Sequence, residues 1–236
     1  TQRTLFYGME GGPFQWTELG YVVFAMSSTH AWAVYPNRII EWGSLCPPAV
    51  ATNVLSDPIS YPPPMGNILG VRRSQLAIAV WEDEKDRSVL YFSRSDYPHE
   101  FRLERDYQIF AGRINLLMSV STAFIVATDR AIYLDPYDTP LVRVADYGVQ
   151  FGGGIYDTRD TVFFWTELGL CKVAPFENLV DKQLAIIERN SVTSALLDWH
   201  GSRYAIVNQT GSVTTRRGAR PYEPMAIATV NDQGIS

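Results

Sequence analysis

The sequence is poor in the residues and runs that announce a chemistry. Only two cysteines occur in 236 residues, Cys46 and Cys171. They supply neither a disulfide framework nor a metal-ligand spacing, and each reads as a buried free thiol near an apolar stretch. The three histidines, His30, His99 and His200, have no partner at metal spacing. Charged residues make up 19% of the chain and the formal charge is −5. That balance argues against nucleic-acid binding as the main business and leaves DNA contact secondary at most. No apolar run approaches the roughly 20 residues needed to cross a bilayer. The amino-terminal TQRTLFYG lacks the apolar core of a secretory signal. These lacks predict a soluble, cytosol-made protein without membrane association. Asn208-Gln209-Thr210 fits the glycosylation acceptor pattern, but without a secretory route it reads as chance.

Catalytic motifs are missing as well. The chain has no G-x-S-x-G elbow, no G-x-x-x-x-G-K-[ST] phosphate loop and no G-x-G-x-x-G after a strand. Calcium loops of the D-x-[DN]-x-[DN]-G type are absent too. Gly152-Gly153-Gly154 reads as a tight backbone approach or bend. No catalytic residue, metal site or cofactor is therefore assigned. The alternatives are a polysaccharide-binding protein or a propeller-fold glycosidase, which needs two carboxylates facing one funnel. Its nominees are Glu82, Asp129, Glu167 and Asp198, although the first three fall in hairpin turns. Arg72-Arg73 and the RRGAR loop with Arg216, Arg217 and Arg220 are the basic clusters. The second would suit a phosphate or an acidic partner, but reads more simply as a solvated loop.

What the chain does have is aromatic and β-branched residues in short runs between turns. It holds 6 Trp, 13 Tyr and 11 Phe, with 46% hydrophobic residues, a composition favouring strands. Ile114 to Val120, Ala123 to Ala127, Ala131 to Leu134 and Leu141 to Ala145 follow one another as four short strands. Such a meander is the blade unit of a β-propeller. Ile114 to Val120 is apolar almost throughout, as suits a strand covered on both faces. Similar series run from Tyr21 to Trp42 and from Asn67 to Phe110. A fourth has strands at Thr161 to Trp165 and Leu168 to Ala174, with Gln183 to Glu188 outermost. The fifth has Thr193 to Trp199, Arg203 to Val207, Val213 to Thr215 and Pro224 to Val230.

Middle hairpin turns near Asn37, Asp83, Asp129, Glu167 and Thr210 are spaced by about 46, 46, 38 and 43 residues, within the range of propeller blades. The pentapeptide WTELG occurs at Trp16–Gly20 and again at Trp165–Gly169. The first copy sits too close to the Asn37 turn to hold the same blade position. The expectation is an all-β fold, one β-propeller domain over 1–236 with about five four-stranded meander blades, four or six being the alternatives. Phe176 to Ile187 is loosely helical in pattern but is not assigned as a helix.

Between the first two meanders, residues 45–65 hold Pro47, Pro48, Pro58, Pro62, Pro63 and Pro64. Six prolines exclude a central strand or a helix there. The segment reads as a polyproline-like connection. Its apolar residues, such as Leu45, Tyr61 and Met65, suggest docking on a neighbouring subunit.

Leu90-Tyr91-Phe92-Ser93 followed by Tyr97-Pro98-His99-Glu100-Phe101 resembles an "LYFS…P-H-x-F" stretch of phage virion proteins. Gly112-Arg113-Ile114, Phe124 to Asp129 and Ile132-Tyr133-Leu134 continue the pattern. Such sequences are similar to the propeller-like tail, nozzle and head-to-tail stabilisation proteins of tailed bacteriophages. The resemblance implies a structural virion protein assembled in the host cytoplasm. Its partners would be tail, connector or portal-proximal subunits, with a homo-oligomeric ring or several copies per particle, and it brings no active site. Tyr61, Tyr97, Tyr137 and Tyr222 are the candidate interface anchors. The remaining competitor, a cellular interaction propeller, would carry a recurring Trp-Asp dipeptide, and none recurs.

Overall fold

The computed structural model describes residues 14–27, 29–46, 60–149, 160–166, 168–173 and 175–178, with the backbone alone of 154–157 and of strands between 192 and 235. The chain is all-β and built of successive antiparallel meanders, the blade unit of a β-propeller. It divides into two compact units, 1–110 and 111–236.

The first unit holds two meanders. In the first, β1 (Gln15–Leu19), β2 (Val22–Met26), β3 (Ala31–Val34) and β4 (Ile39–Glu41) pair in chain order. In the second, β5 (Ile68–Arg72), β6 (Gln75–Glu82) and β7 (Arg87–Arg94) pair in order. The far edge of β7 is then shared. Its end takes β8 (Tyr97–Phe101), while Ser88 to Tyr91 pair with β9 (Tyr107–Ala111). The two sheets share a core in which Phe24, Met26 and Ala33 of the first meet Leu76, Ile78 and Phe101 of the second.

The second unit holds three meanders. The first of them is β10 (Ile114–Val120), β11 (Ala123–Thr128), β12 (Ile132–Asp135) and β13 (Val142–Ala145). Next come β14 (Gly154–Asp157), β15 (Thr161–Thr166), β16 (Gly169–Val173) and β17 (Glu177–Asn178). In the last, β18 (Val192–Trp199) and β19 (Ser202–Gln209) are followed by the hairpin β20 (Ser212–Thr215) and β21 (Gly218–Pro221). The chain then returns through β22 (Ala226–Asn231), which pairs with β19, and β23 (Gly234–Ile235). Every residue of β11 is buried, so this strand is covered on both faces, as its unbroken apolar run requires. Met118, Ile125 and Ile132 on one face pack with Phe164, Cys171 and Val173 of the following meander.

Three assignments made from the sequence need correction. Asn37 lies between β3 and β4, so it marks an outer turn. The middle turn of the first meander lies between β2 and β3, earlier in the chain than Asn37, so its distance to Asp83 is longer than the spacing read from the sequence. Val213 to Thr215 is not the third strand of the last meander. It pairs with β21 as an excursion, and β22 takes the third place. In the fourth meander the outer position beside β16 belongs to Glu177–Asn178. Residues 183–188 lie outside those described.

The middle turns share a device. Ser27, Thr128 and Thr166 stand at the junction of second strand and turn. Each hydroxyl accepts from the N–H two residues on, from Thr29, Arg130 and Leu168 at 3.3, 3.1 and 3.2 Å. Each donates to the carbonyl three residues on, of His30, Ala131 and Gly169, at 3.4, 3.3 and 2.8 Å. A hydroxyl can do both, which closes the turn; the turn at Thr166 also uses Gly169 at φ +126°. The second WTELG supplies one of these turns through Thr166. In the first copy Thr17 lies within β1 and Gly20 forms the turn at φ +63°. Identical pentapeptides therefore do different jobs.

Thr128 is fully buried and its hydroxyl also accepts from the Ala131 N–H at 3.0 Å. Thr128→Val keeps the shape but strands those donors, and we expect a loss of about 1–3 kcal/mol in urea unfolding. A change below about 0.5 kcal/mol would show that the hydroxyl is not what closes the turn.

Candidate functional site

The carboxylates nominated for glycoside hydrolysis are committed to turns or lie outside the described side chains. Glu82 closes the charged hairpin tip, where Arg87 Nε donates to its Oε2 at 2.6 Å and Lys85 lies at 3.2 Å. The Arg87 hydrogen bond leads the causes that hold its carboxyl below the usual range, the reverse of what a general acid needs. Asp129 Oδ1 accepts the Arg113 N–H at 2.9 Å. A side chain at Gly112 or Gly148 would collide with Asp129, so glycine is required where these segments cross its turn. Glu167 and the side chain of Asp198 lie outside the described residues. Among the described residues no group of three or more His, Cys, Asp or Glu is placed to hold a metal ion. Cys46 and Cys171 are free thiols, half-buried and buried.

Among the described residues a polar cluster gathers around β8, on the stretch Tyr97-Pro98-His99-Glu100-Phe101. β8 leaves the end of β7 and runs beside the turn that follows β4. The Trp42 indole N–H donates to the Pro98 carbonyl at 2.7 Å. His99 is buried, and its Nδ1 accepts the Gly43 N–H at 3.0 Å. A neutral imidazole accepting at Nδ1 carries its proton on Nε2. Nε2 therefore donates to the Tyr35 hydroxyl at 2.9 Å. The Phe24 ring meets the imidazole edge-on at 6.1 Å. Burial is the main cause holding His99 below the ordinary 6.5, with the Arg38 charge adding and Glu100 opposing. Glu100 points the other way. Its Oε2 accepts from Arg94 at 2.6 Å and from the Ser60 hydroxyl at 3.2 Å. Phe101 is fully buried and pairs its backbone with Tyr61 in both directions, at 2.7 and 2.8 Å.

These contacts revise the reading of the proline-rich connection. Its carboxyl-terminal part packs on its own unit: Pro63 is buried, and Pro62 and Pro63 lie over Gly43. A Cβ at Gly43 would stand 2.7 Å from Pro63 Cδ, and the backbone there has φ +101°. Glycine at this position seats the prolines. Tyr61 also makes a backbone bridge, which a proline at that position could not complete. Residues 47–59 lie outside those described.

The tyrosine anchors separate. Tyr97 is exposed and stacks under the Arg94 guanidinium at 4.7 Å. Tyr137 turns inward, its hydroxyl donating to the Val120 carbonyl at 3.2 Å. Tyr61 is half-buried in its bridge, and Tyr222 lies outside the described residues. Sequence reasoning missed the exposed aliphatics of the outer strands, Ile39 on β4, Ile109 on β9 and Val142 on β13. Their signal is an apolar residue on a strand that pairs on one side.

No family model and no curated sequence matches the chain. By structure it is similar to the extracellular domain of a B. thetaiotaomicron protein described as a one-component system, at 10% identity and TM-score 0.47, covering 94% of this chain and 29% of that one. It is also similar to the N-terminal domain of Nup159, at 7% identity and TM-score 0.34, covering 92% of this chain and 65% of that one. The chain thus spans less than two thirds of the length of both.

The Arg94–Glu100 pair offers a test of how the cluster is held. Glu100 is 9% exposed in its side chain, so Arg94→Met leaves a buried carboxylate with Ser60 as its remaining described partner. We expect a loss of about 2–3 kcal/mol, partly recovered in the Arg94→Met/Glu100→Gln double variant. A single-variant loss under about 0.5 kcal/mol would make the pair an ordinary surface bridge.

Proposed function

We propose that the chain is a structural component of a bacteriophage virion, in the tail or head-to-tail region, acting as a rigid docking module without catalytic activity. Its partners are other virion subunits, of tail, connector or portal-proximal type, and it is present in several copies. The observation that carries this reading is the fate of the Tyr97–Phe101 stretch, which also carries the resemblance to virion proteins. Pro98 and His99 tie β8 to the turn after β4, Glu100 ties it to Arg94 of β7 and to Ser60, and Phe101 ties it to Tyr61. A stretch spent on internal joints supports a scaffold role rather than a reaction centre. The exposed Ile39, Ile109 and Val142 on outer strands support contact with other subunits.

Mass spectrometry of density-purified particles should detect the chain in several copies per particle, and omission of its gene should yield particles arrested before tail joining. Recovery of the chain only in the particle-free lysate would contradict the reading. So would cleavage of a polysaccharide by the purified chain that Glu82→Gln or Asp129→Asn abolishes.

A further inference from the structure

We propose that His99 is a proton-operated latch, whose protonation on mild acidification releases the Gly43–Cys46 turn and the proline run seated on it while the surrounding sheets stay paired. The geometry makes the hold depend on one lone pair. Within the turn, Cys46 N–H donates to the Gly43 carbonyl at 2.8 Å and Ser44 Oγ to the Glu41 carbonyl at 2.7 Å. Both bonds are local. Trp42 is fixed separately, through Ala31 and Pro98. The bond that carries the Gly43 backbone onto β8 is the one to His99 Nδ1. An imidazolium has N–H groups at both nitrogens, so protonation turns that acceptor into a donor facing another donor.

The charges around the ring favour this response. From the β3–β4 turn, Arg38 stacks over Tyr35 at 5.1 Å and opposes a second positive charge. On β8, Glu100 would favour the charge, but its carboxylate already accepts from Arg94 of β7 and from Ser60. The Tyr35 hydroxyl titrates above its ordinary 10.0, with burial the main cause, and so stays neutral. From the β1–β2 turn, Tyr21 packs on Tyr35 at 6.4 Å. On the turn itself the Cys46 thiol is pushed up, first by burial and then by Glu100, so it is neutral as well. β2 presents only the Phe24 ring. Because the closed form binds fewer protons than the released form, it is fully favoured above pH 6.5 and is lost as the pH falls through the lower value of the folded state. Released, the turn frees the seat of Pro62 and Pro63, while the Tyr61–Phe101 bridge, which involves no titrating group, remains.

Hydrogen exchange of the full chain, corrected for intrinsic rates, reads this directly. Between about pH 7.5 and about pH 5 the protection of the Gly43 amide should fall by about tenfold or more, while that of Ile78 in β6 holds. His99→Gln offers an acceptor that does not titrate and should leave Gly43 protection flat. His30→Gln, at an exposed turn, should leave the fall intact. Flat protection in the native chain overturns the latch, as does the same fall in His99→Gln. A fall of Ile78 in step with Gly43 overturns it too, because that is acid unfolding of the unit. If His99→Gln does not fold, NMR titration of the native chain decides. The Gly43 amide and the His99 ring must share one midpoint below 6.5, and separate midpoints refute the coupling.

Discussion

The seat of the proline run in the first unit depends on the hydrogen bond from the Gly43 N–H to His99 Nδ1. Gly43 is half-buried under Pro62 and Pro63, and its backbone donor finds a protein acceptor there. His99 supplies one from another meander, and this fixes its tautomer and leaves the Nε2 proton for Tyr35. On the same strand, held independently by its pairing with β7, Phe101 fills the core between the two sheets and bridges to Tyr61. The same strand sends Glu100 to Arg94 and Ser60. A residue string that reads as a motif is thus a joint, joining the turn after β4, the end of β7 and the segment at Ser60-Tyr61.

The second unit solves the equivalent problem with small groups at crossings. Asn115 donates to the Val149 carbonyl at 2.7 Å, and Val149 in turn donates to Thr128 at 2.8 Å. Asp160 accepts the Ser121 N–H at 2.9 and 2.8 Å, tying the turn after β10 to the one before β15. The Asn115–Val149 tie is partly buried, so losing either partner there would cost a polar group its pairing.

Strands were legible where apolar runs met clear turn residues. β10 to β13 fall where Ile114 to Ala145 predicts them, because each run is short, alternates with polar turns and has no competing period. The register of the first meander was not legible, since Pro36-Asn37 is a stronger turn signal than Ser27 to His30, yet either can end a strand. The hydroxyl shared by Ser27, Thr128 and Thr166 would have resolved it, but a lone serine or threonine is too common to notice without its hydrogen bonds. β8 was hidden for another reason. Pro98 within a run argues against a strand, and only the edge position beside β7 makes it tolerable. The joint around His99 was out of reach from sequence, because its partners stand 56 and 64 residues away and proximity of that kind is set by the fold.

That Tyr97–Phe101 is a structural joint, with its histidine held neutral and fully engaged, is the claim on which the rest turns. Long-range proton–nitrogen NMR of the His99 ring at neutral pH tests it most directly. The account predicts a single tautomer with the proton on Nε2 and an unprotonated, hydrogen-bonded Nδ1. A ring averaging between tautomers, or one protonated at Nδ1, would contradict it.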